Sequence, residues 1–155
     1  MQKIAARLII GMAITVVGMF ANDSSVGTWK FNPAKSKPAN ANTFKSRTDV
    51  REATPDGGVK VTRTEESKTG GSSDSGYSYK YDGKESPATG GQFDTISVKR
   101  VNANTTSWEV KKTGGKYNQT GRNVVSKDGK TLTQTFKGTD ADGKPVQGTN
   151  VYDKQ

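Results

Sequence analysis

Tyr77 and Tyr79 stand two residues apart, and Tyr81 continues the same spacing. In a strand, residues at this interval share one face. Trp108, Gln119, Asn123, Gln134 and Phe136 lie further on, at positions that two tight hairpins can bring onto a single face. Aromatic rings interspersed with amides suit reversible binding. The rings offer broad apolar contact, with a polar tip on tyrosine and tryptophan, and the amides both donate and accept hydrogen bonds.

The chemistry of bond breaking is poorly represented. The chain has no His and no Cys, which removes the commonest general base, the commonest metal ligand and the thiolate nucleophile. Its many Ser and Thr have no neutral base suggested beside them. Gly70-Gly71, Gly90-Gly91 and Gly114-Gly115 read as turns, because no helix follows to complete a phosphate cradle. Glu65 and Glu66 are neighbours and in a regular strand point to opposite faces, so they cannot share a proton. Asp140 and Asp142 flank Gly143 without the twelfth-position Glu of a calcium loop, and read as a plain turn. The expectation is a protein without enzymatic activity, metal or cofactor.

The elements that position these residues are strands. Asp128-Gly129 is a hairpin signal. Closing it sets Val125 opposite Leu132, Asn123 opposite Gln134 and Gly121 opposite Phe136. Gly114-Gly115 is a second signal, and closing it sets Trp108 opposite Gly121 and Val110 opposite Gln119. The two registers, each taken from turn chemistry alone, agree on one face: Trp108, Val110, Tyr117, Gln119, Gly121, Asn123, Val125, Leu132, Gln134 and Phe136. The other face carries Glu109, Lys111, Arg122, Thr131, Thr133 and Thr135, with Val124 as its apolar exception. A one-residue slip would invert this separation. Three amides on an otherwise apolar face need partners, and water or a polar ligand group would supply them.

Earlier, Thr54-Pro55-Asp56-Gly57-Gly58 is a turn. One register of its hairpin sets Asp49 opposite Arg63 and Arg47 opposite Glu65, as favourable cross-strand pairs. Val26–Phe31, Gly76–Tyr81, Asp94–Val101 and Val146–Tyr152 complete a series of nine strand-like segments. Such a series predicts an all-β, antiparallel up-and-down meander of 8–9 strands that closes into a barrel and removes its open edges. A two-sheet sandwich is the alternative. The expected core is lean, since fewer than one in seven residues after position 21 is Leu, Ile, Val or Phe.

Residues 1–21 read as a signal peptide, and 22–155 as a single barrel domain. Lys3 and Arg7 precede an apolar run from Leu8 to Phe20. That run is shorter than the ~20 residues of a spanning helix, and Ala21 offers a cleavage point before Asn22-Asp23. An uncleaved anchor is the alternative. Cleavage removes Lys3 and Arg7 and no acid, which lowers the formal charge of +9 by two. The lysines are spread among Thr and Ser, as on the wet side of a sheet. No basic cluster marks a specific nucleic-acid site, whereas an acidic polymer or envelope surface is a possible partner.

Gly27-Thr28-Trp29 resembles the Gly-x-Trp opening of lipocalins and their calycin relatives. The resemblance implies a small antiparallel barrel around a hydrophobic or amphipathic molecule, with a late basic residue over the Trp; Arg122 would point outward by the register above. The longer start Gly27-Thr28-Trp29-Lys30-Phe31-Asn32-Pro33-Ala34-Lys35-Ser36-Lys37 resembles that of a group of small secreted bacterial proteins of unassigned function. Tyr79–Lys84 and Val125–Leu132 resemble segments of the same group.

Together these features predict a secreted or periplasmic binding protein for a small amphipathic molecule. Its site would comprise Tyr77, Tyr79, Trp108, Gln119, Asn123, Gln134 and Phe136. The alternative is an envelope-associated protein with a filled barrel and a basic outer surface. Export predicts that the intact mass of the mature protein lacks residues 1–21; a mature form that retains Met12 and Phe20 would contradict it.

Overall fold

The computed structural model describes residues 23–37 and 44–155. The expected signal peptide lies outside these residues. Ten strands are described: β1 Gly27–Phe31, β2 Phe44–Ala53, β3 Val59–Ser67, β4 Ser72–Tyr79, β5 Asp82–Thr89, β6 Thr95–Asn102, β7 Thr105–Lys111, β8 Asn118–Val125, β9 Thr131–Thr139 and β10 Pro145–Lys154. Each pairs antiparallel with its sequence neighbour, and β1 also pairs with β10, so the sheet closes into a barrel. The sandwich alternative is thereby set aside.

Turn chemistry fixes the registers where it was read. Trp108 pairs with Gly121 and Val110 with Gln119; Asn123 pairs with Gln134 and Val125 with Leu132. Gly121 is required there: a Cβ would run into the Thr135 carbonyl and lie 2.5 Å from the Trp108 ring. Asp49 pairs with Arg63 and Arg47 with Glu65.

Strand number departs from the expected 8–9 because of β5. Asp82–Thr89 contains no large apolar residue and includes Pro87, so it reads as turn and loop. It is nonetheless a strand, bonded chiefly to β6. Its pairing with β4 covers only Gly76↔Thr89 and Tyr77↔Ala88. The Ala88 N–H donates to the Asp94 carbonyl on the β6 side, so the Pro87 nitrogen faces β4, past the end of that short ladder. The donor that proline lacks therefore costs no ladder bond. β4 likewise begins at Ser72, earlier than its tyrosines suggest, because Ser72–Ser75 pair with β3 although their side chains add nothing to the core.

Two apolar clusters hold the barrel. One joins Trp29, Phe31, Phe44, Val125, Leu132 and Tyr152; the other joins Val59, Val61, Tyr79, Ile96, Val98 and Val110. Trp29 is fully buried, and its indole N–H donates to the Ser25 carbonyl at 2.7 Å. Lys154 from β10 lies over its ring, 5.1 Å from the centroid. Arg122, by contrast, points outward and is exposed. Residues Asp23–Val26 cross this end of the barrel. Asp23 pairs with Arg100 at 2.8 Å and bonds to Tyr81.

Trp29 and Trp108 differ in packing, since Trp108 is only half-buried. Trp29→Ala should cost roughly 3–5 kcal/mol, as large-to-small core changes do. Trp108→Ala should cost distinctly less, because one side of its ring already lacks packed atoms. Urea denaturation of the two variants checks the order.

Candidate functional site: a cavity with a charged wall

A cavity of about 450 Å³ occupies the barrel interior and runs to the end where Gly90–Phe93 and Asp140–Asp142 turn. All seven residues singled out from the sequence line it. Tyr79 is buried; Tyr77, Trp108, Gln119, Asn123, Gln134 and Phe136 are half-buried. At the open end, Phe93 lies between Tyr77, with centroids 5.7 Å apart, and Tyr117, on which it stacks at 6.3 Å.

Asn123 and Gln134 do not wait for an occupant, as the apolar surroundings of the three amides had suggested. Asn123 Oδ1 accepts from Trp108 Nε1 at 3.1 Å and from Gln134 Nε2 at 3.2 Å. Gln134 Oε1 accepts from Asn150 Nδ2 at 3.4 Å. The series ends at Asn150, which lines the cavity and whose buried Oδ1 has no partner among the described residues. This wall, from β6 to β10, is apolar and aromatic with one ribbon of amides.

The facing wall is charged. Strands β2 and β3 turn Arg47, Asp49, Arg51, Arg63 and Glu65 inward, and the four other than Asp49 line the cavity. Asp49 is fully buried. Its Oδ1 accepts from Arg63 Nε at 2.7 Å and its Oδ2 from Arg63 Nη2 at 2.9 Å, a two-pronged bond. Arg51 reaches the same Oδ2 at 3.3 Å. Arg47 pairs with Glu65 at 2.7 Å, donates to the Tyr152 hydroxyl at 3.2 Å and lies over the Phe44 ring.

The sequence contained the signal for half of this wall. Arg63 and Glu65 fall on the same alternation as the inward Val59 and Val61. On β2 the signal is false. Phe44 and Val50 share parity, which suggests that both face inward. A bulge between Phe44 and Ser46 shifts the register, leaving Val50 exposed and burying Asp49 and Arg51 in its place.

Burial alone would raise the Asp49 carboxyl, but Arg63, Arg51 and Arg47 overturn that and hold it well below the usual carboxylate range. Burial pushes the Tyr77 and Tyr79 hydroxyls up, so both stay protonated at neutral pH. Among the described residues, no cluster of His, Cys, Asp and Glu could hold a metal ion.

No family model matches the chain, and no curated protein does. The crystal structure of the fluorescent protein UnaG matches with a TM-score of 0.56 at 17% identity, over 84% of this chain and 97% of that one. The fold is a lipocalin-like barrel. A mutant of UnaG matches similarly, with a TM-score of 0.55 at 16% identity, over 85% of this chain and 96% of that one. At such identities the likeness is one of architecture. The inner wall of this barrel has to be read from its own residues.

Asp49 carries a pH prediction. Its folded pKa lies below the unfolded value of ~3.9, so its contribution is fully present above that value and is lost as pH falls toward the folded one. Asp49→Asn should therefore destabilise by roughly 3–5 kcal/mol at pH 7, because it strands buried arginines. The gap from wild type should narrow steadily below about pH 4. Urea melts of both proteins at neutral and acid pH measure it.

Proposed function

We propose that this protein is a non-catalytic binding protein that holds a small amphipathic molecule inside its barrel. The observation that carries this reading is the two-sided cavity. A filled barrel would place side chains where about 450 Å³ of space lies. A cavity for a purely apolar guest would not need three arginines on one wall. Between the charged wall and the Trp108–Phe136 wall, a ligand with one polar and one apolar side meets partners for both.

Residues Tyr77, Tyr79, Trp108, Gln119, Asn123, Gln134 and Phe136 are proposed as contacts, joined by the arginines of β2 and β3. Export through the signal peptide at 1–21 would place the protein in the periplasm or outside the cell. Among the described residues, no helix is long and apolar enough to cross a membrane. The only large apolar side chains exposed there are Val50, Val101 and Val124, which do not make the apolar band of a membrane barrel. A second reading, contact with an acidic polymer, draws on an outer groove where Lys99, Arg122 and Lys137 sit among Ser and Thr. It ranks below the first because these cations lie exposed among hydroxyls, as on an ordinary solvated sheet face.

Trp29→Phe leaves Trp108 as the sole tryptophan, on the cavity wall. Titration of that variant with the neutral probe N-phenyl-1-naphthylamine should quench tryptophan emission and raise probe emission with a shared saturation curve. Tryptophan emission unmoved by this probe, together with a large loss of stability in Trp108→Ala, would reject the cavity in favour of a filled barrel.

A further inference from the structure

The charges on the inner wall do not balance. Arg47, Arg51 and Arg63 face Asp49 and Glu65, which leaves one cation over. The bonds show which residue carries it. Glu65 answers Arg47 at 2.7 Å. Asp49 gives both oxygens to Arg63, at 2.7 and 2.9 Å. Arg51 is left with a single long bond, 3.3 Å to an oxygen already in use. It is 3% exposed, and among the described residues its Nε, like that of Arg47, is buried without a partner. A guanidinium carries five donors in a planar fork, and leaving such a group unsatisfied in a closed interior is costly. Arg51 also lines the cavity, beside Tyr77 and Tyr79.

We infer that the ligand is a monoanion whose carboxylate or equivalent group binds Arg51, on the β2 wall of the cavity. This rests on the reading of the cavity as a small-molecule site and names the charge of its guest. One negative group would neutralise the excess cation that Arg51 presents to the cavity, and a planar carboxylate matches the fork geometry of a guanidinium. Asn150 also lines the cavity, and its Oδ1, which with Arg47 Nε and Arg51 Nε is unpartnered among the described residues, is the acceptor of the three. It would repel an anion, so the anionic group belongs at Arg51, and a donor such as a hydroxyl or N–H on the same ligand suits Asn150. The apolar remainder then lies against Ile96, Val98, Val110 and Phe136. Asp140 and Asp142 stand at the mouth; Asp142 is exposed with Lys144 3.9 Å away, so solvent screens its charge, and Asp140 Oδ1 accepts from the Asp142 and Lys144 backbone N–H groups.

The test is displacement of N-phenyl-1-naphthylamine by three ligands with the same chain: decanoate, decanol and decylammonium. The probe is uncharged, so decanoate adsorbed on the basic outer surface leaves its signal unmoved. Decanoate should displace the probe at about ten-fold lower concentration than decanol, as a charge-assisted bond adds to the same apolar contact, and decylammonium should be weakest. In Arg51→Gln the advantage of decanoate over decanol, read as the ratio of their displacing concentrations within that variant, should vanish. Arg51→Lys, which keeps the charge but loses the fork, should retain part of it.

Decanol equal to or better than decanoate on the wild-type protein would overturn the inference, and that comparison needs no variant to fold. An equal loss of all three ligands in a folded Arg51→Gln would overturn it as well. Failure of the probe itself to bind wild type would instead sink the cavity reading on which the inference stands.

Discussion

The buried Asp49–Arg63 pair is the constraint on which the interior depends. Strands alternate their side chains, so a bulge near Phe44 that turns Val50 outward must turn Asp49 and Arg51 inward. Once there, these groups cannot be packed like aliphatics. A buried carboxylate persists only with partners, and Arg63 supplies two bonds from the directly paired position on β3. Arg63 in turn places Tyr77 within 3.4 Å, and Arg47 recruits Glu65 and Tyr152. One wall of the barrel is thereby committed to polar chemistry, and the two apolar clusters form around it.

That commitment explains why the protein is closed at one end and hollow toward the other. At the closed end, Trp29 is fully buried, with its indole N–H satisfied by Ser25 and its ring covered by Lys154. Asp23, Tyr81 and Arg100 tie the entering chain across that end. Toward the mouth, the few aliphatics that the chain possesses are spent on Ile96, Val98 and Val110, and the remaining volume is bounded by rings and guanidinium groups. The facing wall settles its own polar groups through the ribbon from Trp108 to Asn123, Gln134 and Asn150. Each wall is thus nearly self-sufficient. The unanswered atoms are few: Arg47 Nε, Arg51 Nε and Asn150 Oδ1, among the described residues.

Much of this was legible in the sequence wherever a tight turn fixed the register. Asp128-Gly129 and Gly114-Gly115 were enough to place Trp108, Gln119, Asn123, Gln134 and Phe136 on one face, and all five line the cavity. The β2–β3 pairs were legible as pairs, but not as the inner wall, because a bulge leaves no mark in composition and Val50 imitates a core residue. Strand β5 was hidden for a different reason. Its backbone bonds to β6 while its side chains contribute almost nothing to the core, so hydrophobic alternation has nothing to report. The amide ribbon escaped because alternation brings side chains to a face without saying which of them bond to one another.

The most direct measurement of the central claim is a crystal structure of the protein grown with decanoate. The account predicts an interior that stays open, with the carboxylate within hydrogen-bonding distance of the Arg51 guanidinium and the chain extended along Trp108 and Phe136. An interior closed by repacked side chains, or decanoate found only on the outer face near Lys99 and Arg122, would contradict it.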